Sequence, residues 1–146
     1  MRIAVTAASG QLGSAIVKAA SQLAGVDNVI AVARTPEKAK ALGVEVRPGS
    51  YDDRSALAQA FAGIDTVLLV SGMDAPERRI IQHRNVIAAA TAARVRKMVY
   101  TSVQGPAVNS AFAPIVQSNR QTEVDLKASG MDWAIGRNGI YIEPDV

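Results

Sequence analysis

Short β-branched apolar runs alternate along this chain with longer stretches in which apolar residues recur every three or four positions. Residues 2–6 (RIAVT), 28–33 (NVIAVA), 44–47 (VEVR), 65–70 (DTVLLV), 97–101 (KMVYT) and 132–136 (DWAIG) read as six strands. The fourth is nearly all apolar, as a strand covered on both faces should be. Between the first two runs, Leu12, Ile16, Ala19, Ala20 and Leu23 recur at helical spacing. Pro36 suits the first turn of a short helix reaching Leu42. Asp53 is a good N-cap for a helix that presents Leu57, Ala60 and Phe61 on one face. A long helix follows over about 76–93, then a loop over 102–113, then a helix to about Ser129. The last helix has a weak apolar stripe of Ile115, Val116 and Leu126. Such a stripe predicts a face that something must cover, a second copy in a homo-oligomer being one candidate.

Six strands alternating with five helices predict the α/β class. More specifically, they predict a Rossmann-type doubly wound parallel sheet in the order 3-2-1-4-5-6 with helices on both faces. The whole of 1–146 reads as one such domain. In sheets of this kind ligands bind beyond the carboxyl ends of the strands. The loops after each predicted strand therefore share one edge and become the candidates.

Composition narrows the chemistry. Hydrophobic residues make up 49% and aromatics only 4%, so the core must be aliphatic. There is no cysteine and one histidine, His83, so no metal site is expected. His83 shares a helical stripe with Ile80, Ile87 and Ala90, the pattern of a core or boundary residue rather than a general base. The net charge of +3 comes from dispersed cations. Clusters at Arg78–Arg79 and Arg94–Arg96–Lys97 lack the stripe and the aromatics of a nucleic-acid surface. No apolar run is long enough to span a membrane and the first residues do not form a signal peptide, so a cytoplasmic protein is expected.

The loop after the first strand reads TAASGQLG, with small residues Ala7, Gly10 and Gly13 at the spacing of a phosphate-binding turn. Thr6, Ala7, Ala8, Ser9, Gly10, Gln11 and Leu12 are its candidate cofactor-binding residues, next to a helix N-terminus that favours phosphate; a plain tight turn is the other reading. Ala7 stands in place of glycine, and a negative φ is expected there. After the second strand, where an NAD site usually has a carboxylate, the chain has Arg34, with Lys38 one helical turn on. A guanidinium suits a ribose 2′-phosphate, which predicts NADP(H) in preference to NAD(H). Ser50 and Tyr51 of the third loop could flank an adenine, or simply precede the Asp53 cap. Val70, Ser71, Gly72 and Met73 of the fourth loop begin with small residues, as close approach of a ribose or nicotinamide requires; a plain helix-entry loop is the other reading.

Together, VTAASGQLG, VARTPEKAKAL, DTVLLVSG, QHRNVIAAATAARV, MVYTS, QTEVDLKASG and GRNGIY resemble the NmrA-like, atypical branch of the short-chain dehydrogenase/reductase superfamily. This branch includes bacterial NADPH-dependent quinone oxidoreductases and triphenylmethane reductases. The resemblance implies that residues 7–12 cradle the pyrophosphate, that Arg34 grips the 2′-phosphate, and that residues 70–72 line the nicotinamide half. It also implies that Arg137, Asn138 and Tyr141 close the site from the sixth strand. The activity implied is hydride transfer from NADPH to a quinone-like or other electron-poor small acceptor. The alternative is a non-catalytic module that senses NADP(H) and regulates a partner, as some members of the branch do. Besides Ala7, which stands where relatives have glycine, further departures stand out. Asn119 occupies a position where relatives often carry His or Lys, Ser50 one where many carry Asp, and no Tyr-x-x-x-Lys pair is present. Relatives also continue for about as many residues again, and that half supplies most of the substrate pocket.

Overall fold

The computed structural model describes residues 1–105, 108–109, 111 and 113–138. Six strands form one parallel sheet: β1 (Ile3–Val5), β2 (Val29–Ala33), β3 (Glu45–Pro48), β4 (Thr66–Val70), β5 (Lys97–Val103) and β6 (Asp132–Asn138). Their order is β3-β2-β1-β4-β5-β6, as the alternating pattern predicts. The helices are α1 (Gln11–Ala24), α2 (Arg54–Ala60), α3 (Pro76–Ala92) and α4 (Ala113–Lys127). The short helix expected after Pro36 is a 3-10 segment, Pro36–Leu42, closed by Gly43 in the left-handed region at φ +76°.

Reversal of strand order at β1 and β4 puts the helices on opposite sides. Beside β1, β2 and α1, Val5, Val17, Ala31, Ala33 and Ala39 of the 3-10 segment form one aliphatic core. On the other face Leu57 and Phe61 pack with Leu69, Val86, Met98, Tyr100 and Leu126, which brings α2, α3 and α4 together. Each such fully buried side chain is worth about 1.5–3 kcal/mol of transfer free energy. The Asp53 carboxylate accepts the Ala56 N–H at 3.0 Å and caps α2 as expected.

Two expectations about helix faces need correction. On α1 Ile16 and Ala20 of the stripe pack half-buried against the core, but the fully buried positions are Gly13 and Val17, while Leu23 is 90% exposed and Ala19 also faces out. The real inward face lies about one residue on from the predicted stripe, because a glycine, invisible to a hydrophobic pattern, sits at its contact with the sheet. On α4 the stripe is already covered. Val116 and Leu126 are fully buried and Ile115 half-buried, with α3 packed alongside. Among the described residues no helix is long and apolar enough to cross a membrane.

Candidate functional site

The loops at the carboxyl ends of β1, β2, β3 and β4 enclose a cleft of about 380 Å³. Of the predicted residues, Ala7, Ser9, Gly10, Arg34, Lys38, Ser50, Tyr51, Ser71, Gly72 and Met73 line it, joined by Thr35, Gly49, Asp52, Asp74 and Gln82. Thr6, Ala8 and Val70 are buried beneath the cleft, and Gln11 and Leu12 begin α1 beside it. Arg137 and Asn138 end β6, away from the lining, and Tyr141 lies outside the described residues.

The first loop turns sharply. The Ala8 N–H donates to Val32 O at 3.1 Å, which extends the β1–β2 ladder by one bond. The chain must then reverse into α1 within three residues. It does so with Ala7 in the left-handed region at φ +50°, not at the negative φ expected from its side chain. That conformation lets Ala7 O accept the Gly10 N–H at 3.1 Å. A Cβ on Gly13 would lie 2.1 Å from the same Ala7 oxygen, so α1 sits hard against this turn. A left-handed alanine costs about 1–2 kcal/mol, partly offset because glycine would lose more backbone entropy on folding. Ala7→Gly is therefore expected to stabilise the fold by about 0.5–1 kcal/mol, read as a higher urea midpoint with an unchanged slope. A lower midpoint would contradict the strain assigned to Ala7.

The cleft offers a donor set suited to a phosphorylated nucleotide. The turn Ala7–Gly10 leads into the N-terminus of α1, the positive end of the helix dipole. At the far side Arg34 and Lys38 are exposed on the cleft wall, with the hydroxyls of Thr35 and Ser50 nearby. No carboxylate ends β2, where a ribose 2′-hydroxyl would want one. Asp52 and Asp74 bound the other rim. Gln82 donates to both, at 3.2 and 2.6 Å, and Arg78 pairs with both, at 3.1 and 3.4 Å. Hydrogen bonds from Gln82 and Arg78 hold the Asp52 carboxyl below its ordinary range, and the charge of Arg34 adds to this.

Beneath the fourth loop runs a buried polar network that hydrophobic patterning does not foretell. Tyr51 Oη lies 2.7 Å from Thr6 Oγ1 and 2.5 Å from Val70 O, so its hydroxyl faces the sheet although its ring borders the cleft. Burial pushes its phenol upward. Asn119 Oδ1 accepts from Ser71 Oγ at 2.9 Å and from the Tyr100 hydroxyl, while Asn119 Nδ2 donates to Ile115 O at 2.9 Å. Burial pushes Tyr100 up to about 12. His83 is fully buried, as its stripe predicts, with its ring edge-on to both Tyr51 and Tyr100.

Burial, and secondarily the charge of Arg79, lowers the His83 pKa to about 3. Its unfolded value is about 6.5, so between those values the unfolded chain binds a proton that the folded chain does not. The stability that neutral His83 contributes is complete above pH 6.5 and is lost as pH falls toward 3. Replacing His83 with Gln should flatten the decline of stability between about pH 6 and 4 by at most about 1.4 kcal/mol per unit. Urea titrations at several pH values check this, and parallel declines in the two proteins would refute it.

At the end of β5 a second cluster centres on Glu123. Arg137 reaches its carboxylate at 2.7 and 3.1 Å, Arg120 at 3.0 Å and Ser102 Oγ at 2.6 Å. Burial alone would raise this carboxyl, but the hydrogen bonds from Arg137 and Ser102 and the two guanidinium charges outweigh it and hold it low. Arg137 thus ties β6 to α4. Among the described residues no cluster of His, Asp or Glu could hold a metal ion.

The comparisons with known proteins agree with this geometry. Residues 7–145 match the model of a family described as NAD(P)H-binding. The chain is 36% identical over 146 residues to quinone oxidoreductase 2 of Escherichia coli, covering 97% of this chain and 49% of that protein. The solved structure of the Citrobacter sp. triphenylmethane reductase complexed with NADP(H) superposes with a TM-score of 0.86 at 34% identity, over 97% of this chain and 50% of that one. The NADPH complex of the Escherichia coli NADPH-dependent quinone oxidoreductase gives 0.85 at 35% identity, over 95% and 49%. The chain spans about half the length of the curated relatives it matches. With a parallel sheet reversing at β1 and β4 and a cleft at that switch point, the match over 7–145 has a plain meaning: the chain belongs to the NAD(P)H-binding family.

Proposed function

We propose that this chain binds NADPH in the β1–β4 cleft and serves hydride transfer to a quinone-like or other electron-poor acceptor. One observation carries the reading: the turn Ala7–Gly10 that leads into α1, the cations Arg34 and Lys38, and the small-residue loop Ser71–Gly72 all face one cleft. In this reading the α1 turn holds the pyrophosphate. Arg34 and Lys38 hold the 2′-phosphate, and Ser50 and Tyr51 border the adenine. Ser71, Gly72 and Met73 border the nicotinamide, which supplies the hydride when the cofactor is bound. The protein's own work is to bind and orient, bringing two rings within reaction distance. The relatives named above, with their quinone and triphenylmethane activities, support the acceptor class. Arg137 and Asn138 would approach from β6; the tie between Arg137 and Glu123 makes Arg137 a brace rather than a free ligand.

A second reading, an NADP(H)-sensing module without turnover, draws on Asn119. It stands where a proton donor would be useful and spends both ends of its amide inside the fold. Steady-state NADPH oxidation with a panel of small quinones separates the two. We expect acceptor-dependent oxidation that saturates with NADPH. Tight NADPH binding with no oxidation above background would overturn the enzyme reading and favour the sensor.

A further inference from the structure

The two peptides that meet at Gly72 are each held by a side chain that the proposed chemistry does not use. The Gly72 N–H donates to His83 Nε2 at 2.9 Å, and Gly72 O accepts from Arg79 Nε at 2.8 Å. Both side chains belong to α3, and both reach on to α4. Arg79 donates to Ser118 Oγ at 2.8 Å, and His83 Nδ1 lies 2.9 Å from Thr122 Oγ1. Because Gly72 donates to Nε2, that nitrogen is the unprotonated one, and Nδ1 carries the hydrogen toward Thr122. The Ser71 N–H is held as well, donating to Thr101 Oγ1 at 3.0 Å.

This arrangement is expensive. His83, Arg79, Ser118 and Thr122 are all buried. Among the described residues no carboxylate forms an ion pair with Arg79. An apolar pair would fill the same space without the desolvation cost. The polar pair does one thing an apolar pair cannot, which is to fix the directions of the two peptides on either side of Gly72. In a trans peptide the carbonyl points opposite to the N–H. With the Gly72 N–H drawn toward His83, the Ser71 carbonyl turns the other way, to the side of the cleft that Ser71 and Gly72 line.

We propose that His83 and Arg79 are positioning residues: His83 sets the Ser71–Gly72 peptide so that the Ser71 carbonyl faces the nicotinamide half of the dinucleotide, and Arg79, on the Gly72 carbonyl, sets the Gly72–Met73 peptide that follows. The proposal rests on the reading of the cleft as a dinucleotide site. Through Ser118 and Thr122 it makes α4 part of that setting, although α4 contributes nothing to the cleft lining.

The test compares two ligands by calorimetric titration: NADPH, and adenosine 2′,5′-bisphosphate, which lacks the nicotinamide half. His83→Phe keeps a buried ring and removes the acceptor. We expect it to weaken NADPH about tenfold, the effect of one unsatisfied buried donor, and to leave the bisphosphate within about twofold. His83→Gln keeps an acceptor for Gly72 and should bring NADPH back to within about threefold. Arg79→Lys retains the charge but cannot reach Gly72 and Ser118 together, and should weaken NADPH in the same selective way. That variant carries the test if the phenylalanine protein does not fold. Unchanged NADPH affinity in the variants, or equal loss of both ligands, overturns the positioning role. Native protein that binds neither ligand overturns the cleft reading and the proposal with it.

Discussion

Gly13→Ala should lower the thermal midpoint by about 10 °C, the consequence of about 3 kcal/mol of lost stability. The added methyl would lie 2.1 Å from Ala7 O, 2.7 Å from Ala7 C and 3.0 Å from Ala8 Cα. All three are backbone atoms, so no side chain can rotate away. Nor can the backbone move cheaply. Ala8 N–H is bonded to Val32 O, and Ala7 O is bonded to Gly10 N–H. Relief must come from lifting α1 off the sheet, which would loosen Val17 from its core. The same displacement would open the turn proposed to hold pyrophosphate, so NADPH affinity should fall together with stability. A calorimetric scan of the variant reads the first effect and a nucleotide titration the second. A midpoint equal to that of the native protein would show that α1 is less tightly seated than the contact at Gly13 indicates.

Arg34→Glu should weaken NADPH about 100-fold while changing NADH by less than about threefold. Guanidinium–phosphate bonds are charge-assisted and worth more than neutral ones, and a carboxylate in their place adds repulsion to their loss. NADH has no 2′-phosphate, so it neither gains from the arginine nor suffers comparably from the glutamate. A glutamate after β2 could even accept from the ribose hydroxyls, as carboxylates there do in NAD sites. Lys38 lines the same wall and would retain part of the attraction. Competition titrations at two salt concentrations check the assignment, since screening should narrow the native preference for NADPH. Equal affinity of the native protein for both nucleotides would defeat the choice of NADPH.

Much of the fold was legible because its signals are local. Runs such as VIAVA at residues 29–33 are fully buried on both faces and announce themselves by composition alone. The alternation of runs and helical spacing then leaves few topologies, and the observed order is the one the handedness rule favours. What was misread depends on neighbours distant in sequence. The positive φ of Ala7 accompanies the bond from the Ala8 N–H to Val32 O, a contact that TAASGQLG alone does not encode. The inward face of α1 was displaced because Gly13 contributes closeness, not hydrophobicity. The α4 stripe looked unpartnered because α3, which packs against it, lies far away in sequence.

The candidate site divides along the same line. The strand-end rule and the absent carboxylate near Arg34 were enough to collect ten residues that now line one cleft. The network behind it was not legible. His83 meets Thr122 across 39 residues and Gly72 across 11, and Arg79 meets Ser118 across 39. One signal was available: a helix carrying Arg79, Gln82 and His83 on the flank of an apolar stripe has buried polar groups that need partners.

The double acceptance at Asn119 has a consequence for proton supply. Its carbonyl oxygen takes hydrogens from both Ser71 and Tyr100, and an amide cannot pass either one on. The chain from Tyr100 toward the cleft therefore ends in an insulator rather than a wire. In the reading proposed above, this route delivers no proton to an acceptor in the cleft. Under that reading, quinones, whose reduced anions protonate readily in solution, are the acceptors that such a site would suit.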